Sequence, residues 1–418
     1  MNPLVTNREQ LLHIAAATLA TLESESFQAK LDEGAVEAPA EPGAPSLDMV
    51  TNSLSESLEW ARMEEQTLDS AELEAVGTGP APYIPSNQVL SLVQSAYEEY
   101  LEGKEEDLLE EPFDGTDVGW ASVALEKIKS WLKGKRKFVS HKNLTDFRYD
   151  LPANAVVALF ADWGTGEPTA VRVMEQIKKA APTHAIHMGD VYYAGTPGQA
   201  KKRFLDVIDQ HGPSRQACRY FSLNANHDMY SGGYGYFDTI LRGFGQEASY
   251  FNLRNEHWQL IGIDSGYEEH GLKDPQKDWV AAQLSGGGGA KSIMVSHHQY
   301  FSSYEKGAYN RALHTKMGPM LGQVFAWFWG HEHRCMIFGD HLGIKARCIG
   351  HGAIPEAVPF GARKFPDVPV IASDERESPQ DPGMGVHGFA LLRLAGSQMD
   401  VSYVDEFGTV FFKEQLMA

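Results

Sequence analysis

Residues 155–163, AVVALFADW, and residues 183–190, THAIHMGD, are two short apolar runs. Asp162 is the second-to-last residue of the first run, and Asp190 ends the second run. The segment between them, from about Thr169 to Ala181, has the apolar spacing of a helix. Strand, helix and strand in this order are typical of an α/β fold. Loops at the carboxyl ends of such strands carry ligand sites, so we expect Asp162 and Asp190 at one edge of a sheet.

The same pattern continues along the chain. Residues 219–228 (RYFSLNANHD), 290–298 (AKSIMVSHH) and 324–333 (VFAWFWGHEH) are further apolar runs that end in polar side chains. Five strand ends therefore present aspartate, asparagine and histidine, which are oxygen and nitrogen ligands suited to iron, manganese or zinc. One such side chain alone is common in ordinary loops, but their joint occurrence in this order indicates a metal site.

Charge divides the chain of 418 residues into two parts. Residues 1–126 contain 26 acidic and 4 basic side chains, and the remainder contains 30 acidic and 32 basic ones. The near-neutral remainder has no dense basic face, which argues against nucleic acid as an obligate ligand. We expect an acidic, mostly helical N-terminal extension with Pro/Gly-rich linkers at 1–142, and a larger α/β domain at 143–418.

Apolar spacing predicts several helices in the N-terminal extension, separated by linkers at 33–46 and 77–86. Ser86 is the expected cap of the helix that follows it. The predicted helices are residues 11–22, residues 54–73, a segment with Leu90, Val93, Ala96 and Tyr97 on one face, and residues 122–138.

A basic cluster ends the predicted helix at 122–138, and two interpretations of it remain open. The cluster could bind anionic lipid or nucleic acid. The favoured interpretation is that it closes a helix C-terminus and faces the acidic run at 105–111. The acidic extension as a whole could also recruit a protein partner.

The three cysteines, Cys218, Cys335 and Cys348, cannot all pair within one chain, and no two are closely spaced. This usage fits a reducing compartment. The N-terminus has no basic n-region ahead of its short apolar run, unlike a signal peptide. We therefore expect a cytoplasmic protein, with secretion through an unrecognised signal as the alternative. No run approaches the roughly 20 apolar residues of a transmembrane helix.

The motifs at the strand ends, taken in order, resemble those of the calcineurin-like metallophosphoesterases. They are DxG at 162–164, GDxxY at 189–193, NHD at 226–228, HH at 297–298 and GHxH at 330–333. The resemblance covers about residues 155–333, and it implies a four-layer α/β/β/α sandwich of two mixed sheets with metals at one edge. It also implies that residues 143–418 form the catalytic domain.

By this resemblance Asp190 bridges two metal ions. Asp162 and His333 would bind the first ion, and Asn226, His297 and His331 would bind the second. A bridging carboxylate holds two cations roughly 3.5–4 Å apart, close enough to activate a shared oxygen and to hold a phosphoryl group.

The first motif has Gly164 where many members of the superfamily have a histidine. Tyr193 stands three residues after Asp190, and the combination of DxG with GDxxY resembles the purple acid phosphatases, in which this tyrosine replaces the histidine. The resemblance implies Fe(III) at the Tyr193 site and Fe(II), Zn or Mn at the second site. Tyr192 is expected to pack or to line the pocket.

Three further residues are expected to act on the substrate. His227 could donate a proton to the leaving group, and Asp228 could orient it. His298 could contact the phosphate. Supporting structural roles remain the alternative for His227 and His298.

The resemblance implies a dinuclear metal-dependent hydrolase of phosphate esters, acid-phosphatase-like, in which a metal-bound hydroxide attacks phosphorus in line. The expected partner is a small phosphorylated substrate. A phosphodiesterase of the same fold, acting on cyclic nucleotides or other diesters, is the nearest alternative. An interaction or recruitment protein with a structural metal site is the alternative from another class.

Overall fold

The computed structural model describes residues 8–25, 27, 46–65, 83–102, 124–125, 127–128, 134–268, 270–304 and 309–418. The acidic run at 105–111 and most of both linkers lie outside the described residues. The chain divides into two compact units. The first comprises residues 1–136 and 230–232, and the second comprises residues 137–229 and 233–418.

Three helices form the described core of the first unit. Each one buries an apolar face, and α3 buries Leu90, Val93, Ala96 and Tyr97 as expected. The α3 helix is capped by Asn87, whose side-chain oxygen accepts the Leu90 amide at 3.1 Å, and not by Ser86. The helices are α1 (Arg8–Leu22), α2 (Leu47–Glu65) and α3 (Gln88–Glu102).

Two of the predicted N-terminal helices have different bounds. The α2 helix begins at Leu47, seven residues before the predicted start at Leu54, and the end predicted at Leu73 lies outside the described residues. The helix expected at 122–138 does not reach its predicted end, because residues 134–140 are neither helix nor strand. Gly134 has φ 140°, which is incompatible with a helix.

One sheet of the second unit has eight strands in the order β1-β5-β6-β7-β8-β10-β9-β11. The four neighbouring strands β6, β7, β8 and β10 are parallel to one another. The β9 strand pairs antiparallel with β10 on one side and with β11 on the other. The strands are β1 (Arg148–Asp150), β5 (Phe251–Arg254), β6 (Trp258–Gly262), β7 (Lys291–Ser296), β8 (Val324–Trp329), β9 (Cys335–Phe338), β10 (Lys345–Ile349) and β11 (Val370–Ser373).

The other large sheet has six strands in the order β16-β15-β14-β2-β3-β4. β2, β3 and β4 are parallel, and the C-terminal strands are antiparallel. Its strands are β2 (Val156–Phe160), β3 (His184–His187), β4 (Arg219–Ser222), β14 (Gly388–Ala395), β15 (Gln398–Asp405) and β16 (Val410–Met417), and a separate hairpin pairs β12 (Glu377–Ser378) with β13 (Asp381–Gly385).

Helical segments cover the outer faces of both sheets. The α4 helix starts with Pro168 in its first turn and buries Ala170, Val173, Met174 and Ile177, a spacing that turns one face towards the sheet. The α-helices of the second unit are α4 (Pro168–Ala180), α5 (Pro197–Gln199), α6 (Asp206–His211), α7 (Asn226–Tyr230), α8 (Leu241–Phe244), α9 (Gln276–Ser285) and α10 (Arg311–Met317). Ala200–Leu205 and Gly235–Ile240 are π-helical, and Gly318–Gln323 is a 3₁₀ helix.

Three apolar clusters fill the spaces between these layers. The central cluster joins residues of both sheets, such as Leu159 of β2 and Val295 of β7. A second cluster packs α9 and α10 on the eight-stranded sheet, and a third packs α4 on the six-stranded sheet. Three interfaces require four layers, so the predicted sandwich of two mixed sheets is confirmed.

The parallel strands of both sheets end at residues that carry the predicted ligands. β2 and β3 lead to Asp162 and Asp190, and β7 and β8 lead to His297 and His331. None of the helices within the described residues combines the length and the apolar character needed to cross a bilayer.

Candidate metal centre

Asp162, Asp190 and His297 meet at the ends of β2, β3 and β7. One ligand atom from each lies within 4.8 Å of the others. All three residues are fully buried or nearly so. The site therefore combines side chains from both sheets of the sandwich.

The backbone is unusual at the same positions. Seven non-glycine residues of the described chain have positive φ, and four of them carry candidate ligands: Asp162 (53°), Asp190 (75°), His270 (60°) and His331 (67°). Such conformations cost free energy in residues with a side chain and cluster at functional sites. They direct these side chains inward from the turns that follow the strands.

The two aspartates have opposite electrostatic tendencies. Burial, together with the neighbouring Asp190, raises the pKa of Asp162 well above its usual range. Burial also opposes ionisation of Asp190, but His297, His227 and His331 outweigh it and hold its pKa well below its usual range. Two close buried carboxylates cannot both ionise cheaply unless a cation stands beside them.

His297 has a defined orientation. Its Nδ1 lies 3.0 Å from the Met188 carbonyl, so Nδ1 carries the proton and Nε2 presents a lone pair. Nε2 lies 3.0 Å from Asn226 Oδ1 and 3.5 Å from Asp190 Oδ2. The lone pair thus faces two oxygen atoms that are themselves acceptors, an arrangement that a bound cation would satisfy.

His331 and His333 approach the aspartates from the β8 end. His331 donates its backbone amide to Asp162 Oδ2 at 2.9 Å, and its Nδ1 lies 3.2 Å from His297 Nε2. Nε2 of His333 lies 3.7 Å from Asp162 Oδ1. Burial lowers the pKa of His333 to about 4, so its imidazole is neutral and available as a ligand.

The structure brings Tyr192 into contact with the aspartates. The Tyr192 hydroxyl lies 2.9 Å from Asp190 Oδ2, 3.2 Å from Asp162 Oδ1 and 3.3 Å from His333 Nε2. The Tyr193 ring instead lies under the guanidinium of Arg203, 4.9 Å from its centroid. These contacts make Tyr192 a further candidate ligand, and the expected role of Tyr193 stays a prediction.

Gly164 explains why the loop that carries Tyr192 approaches the site so closely. It forms an isolated parallel bridge with Val191, and Tyr192 donates its amide to the Gly164 carbonyl at 3.0 Å. A Cβ at residue 164 would lie 2.8 Å from both the Asp190 carbonyl oxygen and Val191 Cα. Only glycine admits the loop this closely, and the close approach directs the residue after Val191 into the site.

His227 and Asp228 lie beside the centre, and each has a partner of its own there. His227 Nδ1 lies 2.6 Å from the Tyr193 carbonyl, and its ring packs on Tyr192 at 4.6 Å between centroids. Asp228 Oδ2 accepts the Asp190 amide at 3.2 Å. A backbone carbonyl therefore orients His227, and Asp228 supports the loop that carries Asp190.

His298 is fully buried, and its Nδ1 lies 3.0 Å from Ser265 Oγ. Its other neighbours are His331 and His270, and the three rings form a second group of potential ligands. Sequence reasoning missed His270 and Ser265. The run WQLIGIDS at 258–265 also leads from an apolar strand to an aspartate, and this pattern could have identified the loop that carries both residues.

Arg334 is committed to neighbours within the protein. Its guanidinium bonds Glu356 Oε1 at 2.6 Å and stacks on Tyr304 and Phe360 at 3.9 and 4.7 Å. His351, from the turn after β10, is buried and lines a small cavity with His333 and Arg334. Neither residue contacts the two aspartates directly among the bonds described.

The donor set fits two metal ions. Carboxylate, phenol, amide and neutral imidazole groups suit iron, zinc and manganese. The buried aspartates need positive charge, and the Tyr192 pKa is raised well above its usual range by burial and by both aspartates. A phenol in this environment would ionise only next to a strong Lewis acid.

Comparisons with known proteins agree with this site. Residues 155–335 match the calcineurin-like phosphoesterase family. The predicted resemblance to this family is therefore confirmed over these residues. The predicted similarity to purple acid phosphatases is also confirmed by the relatives found.

The relatives are acid phosphatases. The chain is 22% identical over 295 residues to tartrate-resistant acid phosphatase type 5 of Sus scrofa, covering 61% of this chain and 84% of that protein. For the Homo sapiens protein of that name, identity is 22% over 305 residues, covering 63% and 91%. Purple acid phosphatase PPD1 from yellow lupin (Lupinus luteus) seeds aligns with a TM-score of 0.49 and 14% identity. That alignment covers 64% of this chain and 55% of the lupin chain.

Proposed function

We propose that this chain is a dinuclear metal-dependent phosphatase that resembles purple acid phosphatases. The convergence of Asp162, Asp190 and His297 within 4.8 Å, in a domain of the phosphoesterase family, carries the proposal. Asp190 would be shared by two ions. The first ion would also take Asp162, Tyr192 and His333, and the second would take Asn226, His297 and His331.

The first position suits Fe(III), because it offers two carboxylates and a phenol, which are hard anionic donors. The second position offers mainly neutral donors and suits Fe(II), Zn or Mn. When bound, such a pair would polarise the phosphoryl group and lower the pKa of a coordinated water. Displacement at phosphorus would then proceed in line.

The protein's own groups would position the substrate and move a proton. The Tyr193 carbonyl holds His227 through Nδ1, and a protonated His227 would donate its Nε2 proton to the leaving oxygen. His227 is only 4% exposed, so its ring has a fixed direction. Asp228 would hold the Asp190 loop in register by accepting the Asp190 amide.

Hydrolysis of a chromogenic aryl phosphate tests the proposal. The purified protein should contain two metal ions per chain, and a chelator should abolish turnover until metal is restored. A protein with no bound metal, or with turnover that a chelator leaves unchanged, would contradict the proposed function. Glu414→Gln is a suitable control because Glu414 binds Arg347 away from the aspartates.

We propose further that a small phosphorylated molecule is the substrate and that the protein resides in the cytoplasm. The three cysteines are all unpaired and buried, which supports a reducing compartment. A protein partner for the acidic N-terminal extension remains part of the proposal. Fractionation of cells and pull-down with residues 1–136 present or deleted would test these two points.

A further inference from the structure

Three histidines outside the carboxylate group lie together at the β7 and β8 ends of the site. The ring centroids are 4.1 Å apart for His270 and His298, 4.8 Å for His298 and His331, and 5.4 Å for His270 and His331. One nitrogen from each lies within 4.8 Å of the others. The three rings come from three separate loops, so their convergence is a product of the tertiary fold.

His298 shows that this convergence is built for a ligand. Ser265 Oγ lies 3.0 Å from its Nδ1 and accepts its backbone amide at 3.1 Å, which fixes the ring. Its Nε2 is completely buried and has no hydrogen-bond partner. A buried nitrogen without a partner costs free energy, so the unpaired Nε2 points to a group that binds there.

His270 shares the backbone signature of the proposed ligands. It lies in the loop between β6 and α9 with φ 60°, in the left-handed region that Asp162, Asp190 and His331 also adopt. This backbone conformation costs free energy in a histidine, and such strain persists where the surroundings hold a side chain in a functional position. The loop therefore presents the His270 ring to His298 by a conformation that is costly to maintain.

We propose that His270, His298 and His331 hold a cation, and that His270 and His298 are metal ligands of this chain in addition to those of the DxG, GDxxY, NHD and GHxH motifs. Three imidazole nitrogens suit Zn²⁺ and similar ions. Bonds of about 2.0–2.1 Å to a tetrahedral ion place its ligand atoms about 3.4 Å apart, so the observed group needs only a small contraction.

The cation of this three-histidine site is the second ion of the proposed function, because His331 is a ligand of that ion, so the inference rests on that function. The carboxylate group does not depend on His270 or His298. Removal of His270 should therefore reduce zinc binding without removing the ion that Asp162 and Asp190 hold.

Zinc titration of the metal-free full-length protein, followed by elemental analysis after dialysis, tests the site. His270→Ala should bind one equivalent of zinc less than the wild type. Ser265→Ala should keep the number of ions but weaken the affected one by about 10- to 100-fold, because the serine orients a ligand. Cobalt absorption spectra of the same variants should lose the bands of the histidine-bound ion and keep the rest.

His314→Ala is the matched control, because His314 is exposed on α10 and its Nδ1 bonds the Tyr300 hydroxyl. It should bind zinc as the wild type does. His270 is the main test because it is only partly buried, and thermal unfolding of each variant checks that it folds. If His270→Ala and Ser265→Ala fold and bind zinc like the wild type, the three-histidine site is wrong and the proposed phosphatase stands. If the wild type binds no metal, both proposals fail.

Discussion

Two groups of buried charged residues in the second unit are satisfied in different ways. Around Asp162 and Asp190, the partners are a phenol and imidazoles, and among the described residues no lysine or arginine pairs with either carboxylate. Between the two sheets, Glu414 accepts bonds from Arg347 Nη2 at 2.6 Å and Nε at 2.7 Å. Tyr403 adds a hydroxyl donor to the same carboxylate at 2.7 Å.

The difference separates a site for a ligand from a group that stabilises the fold. In the pair of Arg347 and Glu414 the charges balance within the protein, and both oxygens have donors. In the carboxylate group one aspartate has a raised pKa and a neighbouring imidazole directs a lone pair at oxygen atoms. The protein groups around these carboxylates do not balance their charge, and a bound cation would do so.

Asp190→Asn should have the largest effect. The change keeps the size of the side chain but removes the shared negative charge, so both ions should bind poorly. Metal catalysis contributes several kcal/mol, and we expect kcat/KM to fall by about 10³- to 10⁴-fold with loss of metal by elemental analysis. Glu414→Gln, the same acid-to-amide change, should retain metal and activity. A metal-replete and active Asp190→Asn protein would contradict the shared-ligand assignment.

His227→Ala should have the next largest effect. Loss of a general acid costs about 100- to 1000-fold in kcat. Metal content should stay unchanged, because Nδ1 of His227 is engaged by a backbone carbonyl. The defect should be smaller for aryl phosphates with acidic leaving groups than for alkyl phosphates. An equal defect for both would assign His227 a structural role.

Tyr192→Phe and Tyr193→Phe compare the two tyrosines directly. An iron-loaded wild type should be coloured by charge transfer from a phenolate to Fe(III). Tyr192→Phe should lose this band and about 10- to 100-fold of activity, as expected when a residue that supports the metal is removed. Tyr193→Phe should keep both. Colour retained in Tyr192→Phe and lost in Tyr193→Phe would restore the order that the sequence predicts.

Glu414→Gln should have the smallest effect and should change stability alone. Burial alone would raise the pKa of Glu414, but Arg347 and Tyr403 outweigh burial and lower it. The ionised form therefore stabilises the fold above the unfolded-state pKa, and this stabilisation is lost as pH falls through the lower folded-state pKa. We expect Glu414→Gln to lower the free energy of unfolding by about 2 kcal/mol at neutral pH. In acid denaturation the difference from the wild type should shrink towards zero.

Much of the fold and most of the candidate site follow from local sequence. Apolar runs of strand length leading to Asp162, Asp190, His297 and His331 are signals that need no knowledge of the tertiary structure. The carboxyl ends of parallel strands meet at one sheet edge, so the proximity of these residues could be predicted from the sequence. The strand order, and the layer formed by each helix, required the structure.

The structure adds contacts that the sequence did not indicate where spacing along the chain does not determine the direction of a side chain. The position three residues after Asp190 identified Tyr193, but the contact of the loop with Gly164 turns Tyr192 inward. Adjacency suggested that Asp228 orients His227, yet neighbouring residues of a short helix point in different directions. His270 lies in a long loop after β6 without a repeating pattern, and only tertiary packing places it beside His298.

The bridge between Gly164 and Val191 also limits how this domain could change during evolution. A side chain at residue 164 would collide with the backbone that positions Tyr192. A histidine at 164 and a tyrosine from the following loop are therefore alternatives that exclude each other. We therefore expect the exchange of one for the other to require coordinated changes in both loops.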